Sequence, residues 1–285
     1  MCQIYRSFLL YILILTALLT GVPFAVSAEE QTLSETNEDD SAGIDISTIE
    51  EGFISALYQG NAASARAEVT DPVGRLTAWP LTPGENVQIT LGGGDGTYRI
   101  RILENTGGEQ YALIFASSFD AVLPDPLSPF LHPSLFVPWT GESLCAEKAQ
   151  EIYEECAGNE EAFTEAVYAF IISEIAYDSD VSAEVPADYV PDPDRTLRTK
   201  LGICYDYASL MAAMLRSCGV PARVLSGFFG DYRHAFVQAA PGASSGNGTV
   251  RWKAFDPALG ACNTGAAVRS CLNQMDTYYL IRQIY

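Results

Sequence analysis

Residues 202–219 read GICYDYASLMAAMLRSCG, and from Cys204 onward they have the pattern of an amphipathic helix. One helical face carries the larger apolar side chains, at Tyr207, Leu210, Met211, Met214, Leu215 and Cys218. Gly219 ends the predicted helix, and Pro221 prevents its return. Cys204 therefore lies in the first turn, where unpaired backbone N–H groups and the helix dipole favour a thiolate. The pattern predicts a nucleophile; the alternative is an inert core thiol.

The N-terminus has the pattern of a leader. A long apolar run spans residues 8–22, and Arg6 is the only charged residue before it. Pro23 ends the run, and Val26-Ser27-Ala28 supplies small residues for cleavage. We therefore predict a signal peptide over residues 1–28 and a secreted or cell-surface protein. A retained N-terminal anchor stays open, because the run approaches the ~20 residues that span a bilayer.

The charge of the chain restricts its partners. The formal net charge is −20, which repels phosphate backbones and argues against a nucleic-acid partner. No polybasic segment is present to bind anionic lipid, so an uncleaved anchor is the only membrane attachment we expect. Residues 29–47 are acidic, lack basic residues and hold few large apolar ones, which predicts a disordered acidic linker.

Residues 48–120 alternate short apolar runs with turn residues, which predicts a small antiparallel β-sandwich. Ile49–Leu57 would also suit a helix. The glycine-rich residues 92–96 lack the lysine and following helix of a phosphate loop, so we interpret them as a hairpin. The predicted strands are Phe53–Tyr58, Ala65–Val69, Leu76–Trp79, Val87–Leu91, Thr97–Leu103 and Tyr111–Ser117.

Residues 121–140 are rich in proline and aromatic residues, and predict an extended connector whose aromatic side chains pack at a domain junction. A second domain follows over residues 141–285. It begins with helices over Cys145–Cys156 and Glu161–Ile175, continues with a polar loop over Ser179–Arg198 that suits a substrate rim, and ends in antiparallel strands after the Cys204 helix. The expected fold class is therefore α+β.

Six cysteines follow the leader: Cys145, Cys156, Cys204, Cys218, Cys262 and Cys271. On one helix, Cys145 and Cys156 would lie ~16 Å apart, too far to form a disulfide. Cys262 and Cys271 flank a short segment and are the most plausible disulfide. No cysteine pair has the spacing of zinc ligands, and we expect neither a metal nor a cofactor.

The chain has only two histidines. His132 falls in the connector and is expected to be a surface or junction residue. His234 opens a strand in the same half as Cys204. Asp256 ends the next strand, after a turn containing Asn247-Gly248, so a hairpin would bring His234 and Asp256 together. Taken alone, Asp256 could equally form an Asx turn before proline.

Several motifs resemble the bacterial transglutaminase-like superfamily over about residues 141–280. They occur in the expected order, and the upstream β-domain is similar to an accessory domain of some secreted Firmicute members. The motifs are Ile175-Ala176-Tyr177-Asp178, Gly202-Ile203-Cys204-Tyr205-Asp206-Tyr207-Ala208, the segment from Leu215 to Gly227, His234-Ala235-Phe236 and Phe255-Asp256-Pro257.

The resemblance implies a papain-like core with a catalytic triad. Cys204 would be the nucleophile, His234 the general base and acid, and Asp256 the carboxylate that orients the imidazole. The Cys204 backbone N–H would supply one oxyanion donor, and Tyr177 is a candidate for the second. Two positions depart from the family pattern: Phe236 stands where Trp is usual, and Ala258 where Thr is common.

The expected function is that of an exported thiol enzyme acting on amide bonds of a protein or peptide through a thioester, with the cell wall as one setting. Water or an amine could be the acceptor; we favour water slightly, since nothing marks an amine site or a calcium loop. The main alternative is a non-catalytic cell-surface binding module that keeps the fold. A structural role in wall assembly has the least support.

Overall fold

A computed structural model describes residues 34–186, 189–243, 250–263, 265–273 and 279–285. These residues belong to one compact unit, Thr32–Tyr285. The predicted leader and the Asn247-Gly248 turn lie outside the described residues. The domain boundaries at residues 120 and 141 stay a prediction. None of the described helices is long and apolar enough to cross a membrane.

The first half consists of two antiparallel sheets of four strands each. In the strand Gly96–Gly107, Tyr98, Ile100 and Ile102 are buried while Arg99 and Arg101 are exposed, as the alternation predicts. The buried faces of both sheets share one apolar core, so the predicted β-sandwich and its six strands are confirmed. One sheet has the order β1 (Ser34–Thr36), β2 (Ala42–Asp45), β3 (Phe53–Tyr58) and β6 (Asn86–Thr90); the other has β5 (Leu76–Leu81), β4 (Ala65–Thr70), β7 (Gly96–Gly107) and β8 (Gln110–Ala121).

Two predictions for this half are wrong. The predicted disordered linker over residues 29–47 is ordered from Ser34 onward, because β2 pairs with β3 and buries Ala42 and Ile44. Two buried apolar side chains and a strand partner suffice there, and Glu38, Asp39 and Asp40 lie in the exposed turn between β1 and β2. Residues 92–96 are not a hairpin, since β6 and β7 belong to different sheets. The Tyr98 hydroxyl lies 3.0 Å from the carbonyl oxygens of Leu91 and Gly94, which share its one proton where the chain crosses.

The second half places helices before a four-stranded antiparallel sheet, as predicted. In that sheet the neighbouring strands are, in order, Lys253–Phe255, Tyr232–Ala239, Ala222–Phe229 and Tyr279–Ile284. The helix Cys204–Ser217 is the predicted Cys204 helix, and a short parallel pair of strands, Ala176–Tyr177 and Leu201–Gly202, precedes it. The helices are α1 (Leu144–Glu155), α2 (Glu160–Glu174), α3 (Ser179–Ala183), α4 (Pro193–Thr199), α5 (Cys204–Ser217), α6 (Pro257–Cys262) and α7 (Gly265–Leu272). The strands are β9 (Ala176–Tyr177), β10 (Leu201–Gly202), β11 (Ala222–Phe229), β12 (Tyr232–Ala239), β13 (Lys253–Phe255) and β14 (Tyr279–Ile284).

The predicted polar loop over 179–198 is wrong in part, because it contains α3 and α4. Each begins at an aspartate whose carboxylate accepts a backbone N–H: Asp178 from Val181 and Asp192 from Arg195. Pro193 occupies the first position of α4, where its missing N–H costs nothing. Local capping therefore produces helix in a stretch whose composition indicates loop.

Helix α5 is the centre of this half. Every residue from Asp206 to Arg216 is buried, which is more than the single apolar stripe predicted. Small residues such as Ala208 and Ala212 let helices and strands approach it on several sides. Gly219 ends it with a left-handed φ of 80°, as a C-terminal glycine should.

The connector packs its aromatic rings at the junction, as expected. The Phe136 ring lies 4.9 Å from Trp79 of β5 and 4.4 Å from Tyr285. The Phe136 carbonyl accepts a hydrogen bond from Ser209 of α5 at 2.8 Å. His132 is a junction residue, with its ring 5.2 Å from Phe53. This packing ties the second half of the chain to the β-sandwich.

All six cysteines after the leader are unpaired. The predicted disulfide between Cys262 and Cys271 is therefore wrong. Cys262 ends α6 and is exposed, whereas Cys271 lies within α7 and packs on the apolar cluster around Tyr279. The segment between them is largely a helix and not a loop, which separates the two thiols along its axis.

Arg216 anchors the C-terminal end of α5. Its side chain is 2% exposed and donates to the backbone carbonyls of Ala222, His132 and Tyr285 at 2.7, 2.7 and 2.9 Å. These carbonyls belong to the start of β11, the connector and the segment after β14. Burial lowers the pKa of the guanidinium to about 9. One side chain thus joins the helix to three chain segments.

We predict that Arg216→Met destabilises the protein by about 3–5 kcal/mol, because three carbonyls lose their donor inside the core. The measurement is the free energy of unfolding in urea. Arg99→Met is the matched control, since Arg99 is exposed on β7 and its replacement should cost no more than ~0.5 kcal/mol. Equal stability of the two variants would refute the anchoring role of Arg216.

Candidate active site

The structure brings His234 and Asp256 together as predicted. His234 lies on β12, and Asp256 follows β13, the antiparallel neighbour of β12. The imidazole Nε2 and the carboxylate Oδ2 are 2.7 Å apart. Asp256 also caps α6, because its Oδ1 accepts the Leu259 N–H at 2.9 Å. The Asx-type cap and the contact with His234 are therefore both present, one on each carboxylate oxygen.

Cys204 is the first residue of α5, and the turn that carries it is rigidly held. The Ile203 N–H donates to Asp206 Oδ2 at 2.8 Å, and Tyr189 donates to Asp206 Oδ1 at 2.7 Å. Burial raises the pKa of Asp206, and these two hydrogen bonds offset only part of that rise. A Cβ on Gly202 would lie 2.8 Å from the Asp206 Cβ, so only glycine fits at this approach.

The electrostatics of His234 connect the three predicted residues. Burial lowers the pKa of the imidazole, but hydrogen bonds to Asp256 and Cys204 and the charges of both groups outweigh it. The result raises the pKa of His234 from 6.5 to about 10. Because Nε2 is engaged by Asp256, Nδ1 is the nitrogen left to exchange a proton with Cys204. This arrangement can hold a thiolate beside an imidazolium.

Aromatic side chains enclose the imidazole. The rings of Phe229 and Tyr279 lie 5.9 and 6.0 Å from it. Tyr279 donates its hydroxyl to Asp256 Oδ2 at 2.7 Å, and the sequence analysis did not assign it to the site. Phe236, which departs from the family pattern, packs on Tyr279 at 4.6 Å. Its ring therefore supports the wall behind the carboxylate. Ala258, the other departure, is buried in the apolar core.

Tyr177, the candidate second oxyanion donor, lies close to Cys204. It is on β9, paired with Gly202, and is 38% exposed. Burial and then the charge of Cys204 raise the pKa of its phenol, while the Cys204 backbone N–H lowers it. The hydroxyl thus borders the thiol, and its catalytic role stays a prediction. Among the described residues, no group of three His, Cys, Asp or Glu side chains is arranged to hold a metal.

A family model described as the transglutaminase-like superfamily matches residues 146–257. This part of the chain is similar to that superfamily. The matched segment contains Cys204, His234 and Asp256, and it covers α1 to the start of α6. The matched segment is thus the part of the chain in which the three side chains meet.

Comparison with solved structures finds further similar folds. A candidate cysteine protease from Cytophaga hutchinsonii is 16% identical, covering 82% of this chain and 79% of its own, with a TM-score of 0.42. The periplasmic domain of TgpA from Pseudomonas aeruginosa, bound to ethylmercury, is 19% identical over 73% of this chain and 72% of its own, with a TM-score of 0.36. Red sea bream transglutaminase is 13% identical over 73% and 48%, with a TM-score of 0.29. No curated protein matches the chain.

Because the chain has only two histidines, the protonation of His234 can be measured directly. We predict that His234 keeps its proton to a pH of about 10, and that Cys204→Ala lowers this value because it removes one hydrogen bond and one charge. NMR of isotopically labelled histidine follows the His234 imidazole as the pH changes, and His132→Gln identifies which signal belongs to His234.

The same shift fixes the sign of a stability effect. In the folded protein the pKa of His234 lies above 6.5, so protonated His234 stabilises the fold. This stabilisation is fully present below pH 6.5 and is lost as the pH rises to about 10. A His234 signal that titrates near pH 6.5 in the unmodified protein would contradict the ion pair.

Proposed function

We propose that this protein is an exported cysteine-dependent acyl-transfer enzyme that acts on amide or peptide bonds of proteins through a thioester. The observation that carries the proposal is the 2.7 Å bond from His234 to a buried Asp256, beside Cys204 at the start of α5. The match of residues 146–257 to the transglutaminase-like superfamily supports a protein substrate.

In the first half-reaction the Cys204 sulfur attacks the carbonyl carbon of the amide. A C–S bond forms, and the carbonyl oxygen becomes an oxyanion beside the first turn of α5. The tetrahedral intermediate then collapses as the C–N bond breaks. Nδ1–H of His234 protonates the leaving amine, so the amine departs neutral and the acyl group stays on sulfur as a thioester.

In the second half-reaction neutral His234 acts as the base. Nδ1 takes a proton from water or from an amine while the oxygen or nitrogen of that acceptor attacks the thioester carbon. The C–S bond breaks, its electron pair returns to sulfur, and the thiolate and imidazolium are restored. Water gives hydrolysis, which we favour slightly, and a lysine amine gives a crosslink. New N-termini or isopeptide bonds in the products distinguish the two.

Asp256 holds the imidazole in this cycle. It accepts from Nε2, so the other nitrogen faces Cys204, and its charge stabilises the imidazolium. The Cys204 backbone N–H and the Tyr177 hydroxyl are the proposed oxyanion donors. The dipole of α5, a helix of 14 residues, adds to the positive potential at the sulfur.

We predict that iodoacetamide near neutral pH modifies Cys204 first, because a thiolate reacts and a thiol does not. His234→Ala should slow this labelling by about 10-fold or more. His132→Ala is the matched control and should leave the rate unchanged, since His132 lies at the junction. Mass spectrometry of the digested protein locates each adduct, with Cys262 as the exposed internal reference.

The opposing result is equally clear. Uniform, slow labelling of Cys204 and Cys262, unaffected by His234→Ala, would reject the enzyme and favour a binding module that keeps only the fold.

We also propose that the protein is exported, on the strength of the apolar run at residues 8–22 and the small residues before position 29. The expected result is a mature N-terminus after Ala28 when the secreted protein is sequenced. Recovery of the intact chain from the membrane fraction would instead support a retained anchor, and recovery from the cytosol would reject export.

A further inference from the structure

The Asp256 carboxylate accepts two side-chain donors on the same oxygen. Oδ2 lies 2.7 Å from His234 Nε2 and 2.7 Å from the Tyr279 hydroxyl, while Oδ1 accepts the Leu259 N–H. Asp256 is 0% exposed, so bulk water does not reach these lone pairs. The phenol and the imidazole therefore compete for one oxygen.

The phenol is the donor in this contact. Burial, followed by the charge of Asp256, raises the pKa of Tyr279 far above its ordinary value, so the hydroxyl keeps its proton. Its ring is fixed in place, because β14 pairs Tyr279 with Phe229 of β11 and the ring packs 5.1 Å from Phe229 and 4.6 Å from Phe236. The hydroxyl cannot swing away from the carboxylate without unpacking this cluster.

We propose that Tyr279 is a positioning residue for the acyl-transfer reaction: it fixes Asp256 Oδ2 against His234 and moderates how strongly Asp256 holds the imidazole proton. The inference rests on the proposed function. Tyr279 touches neither substrate nor sulfur in this role, and acts through Asp256 alone.

The moderating effect follows from the shared oxygen. Each donor stabilises part of the carboxylate charge, so the phenol weakens the attraction between Asp256 and the imidazolium. A proton held less tightly is more readily given to the leaving amine. General acid–base catalysis is most efficient when the catalytic group titrates near the working pH, and His234 already binds its proton unusually strongly.

The other titratable and charged groups around the cluster are few in the described part of the chain. Cys204 faces the imidazole from α5. Tyr168 of α2 lies near Asp256, and burial and then the charge of Asp256 raise the pKa of its phenol. Cys271 of α7 lies near Tyr279, and Arg269 of α7 near Tyr168. Tyr168 thus offers a matched phenol beside the same carboxylate.

The test is the NMR titration of His234 in Tyr279→Phe, which keeps the ring and removes the hydroxyl. We expect the pKa of His234 to rise by about 0.5–1 pH unit, the equivalent of one net hydrogen bond. Tyr168→Phe should leave it unchanged. Tyr279→Leu provides a second variant without the hydroxyl, in which the shift should have the same direction.

An unchanged or lowered pKa of His234 in Tyr279→Phe would overturn the inference while leaving the proposed function intact. If His234 of the unmodified protein titrates at its ordinary value, the ion pair behind the proposed function fails instead. The titration of Tyr279→Phe therefore tests the inference, and the titration of the unmodified protein tests the proposed function.

Discussion

The site depends on the burial of one carboxylate. A charged carboxylate removed from water is costly unless donors surround it, and Asp256 is 0% exposed. The fold meets this requirement with a strand histidine, a strand tyrosine and the first turn of α6. Because all three elements converge on Asp256, the carboxylate is held in one position, and its charge in turn holds the imidazole there. The raised pKa of His234 is the electrostatic consequence.

Cys204 is held by an independent set of contacts. Asp206, Gly202 and Tyr189 fix the first turn of α5, and Arg216 fixes its other end to the connector and to β11. The helix is buried along most of its length, so it cannot shift relative to the sheet without opening the core. Cys204 and His234 are thus positioned by separate elements that share one rigid core. The β-sandwich contributes through Trp79, which packs on the connector residue Phe136.

The sequence contained the parts of this site that local pattern encodes. The apolar spacing of α5 places Cys204 in a first turn, and two strands in succession bring His234 to Asp256. Tyr279 could not be found in this way, because neither its spacing nor its neighbours indicate which phenol of the last segment reaches the carboxylate. Its position depends on β14 pairing with β11, a contact between residues far apart in the chain.

The errors elsewhere have the same origin. The acidic composition of residues 34–47 conceals a strand whose stability comes from its neighbour β3, and polar residues 179–198 conceal helices stabilised by aspartate caps. The glycines at 92–96 indicate a turn, and only the tertiary fold decides that the chain crosses between sheets there. The composition of a segment indicates only its average burial, whereas strand pairing and helix capping depend on individual residues.

The central claim is that Cys204 and His234 form a thiolate–imidazolium pair maintained by Asp256. The most direct measurement is the ultraviolet absorbance of the thiolate at neutral pH, compared between the unmodified protein and Cys204→Ala. The account predicts an excess equal to one thiolate in the unmodified protein, which is reduced in Asp256→Asn. Identical spectra for the unmodified protein and Cys204→Ala at neutral pH would contradict it.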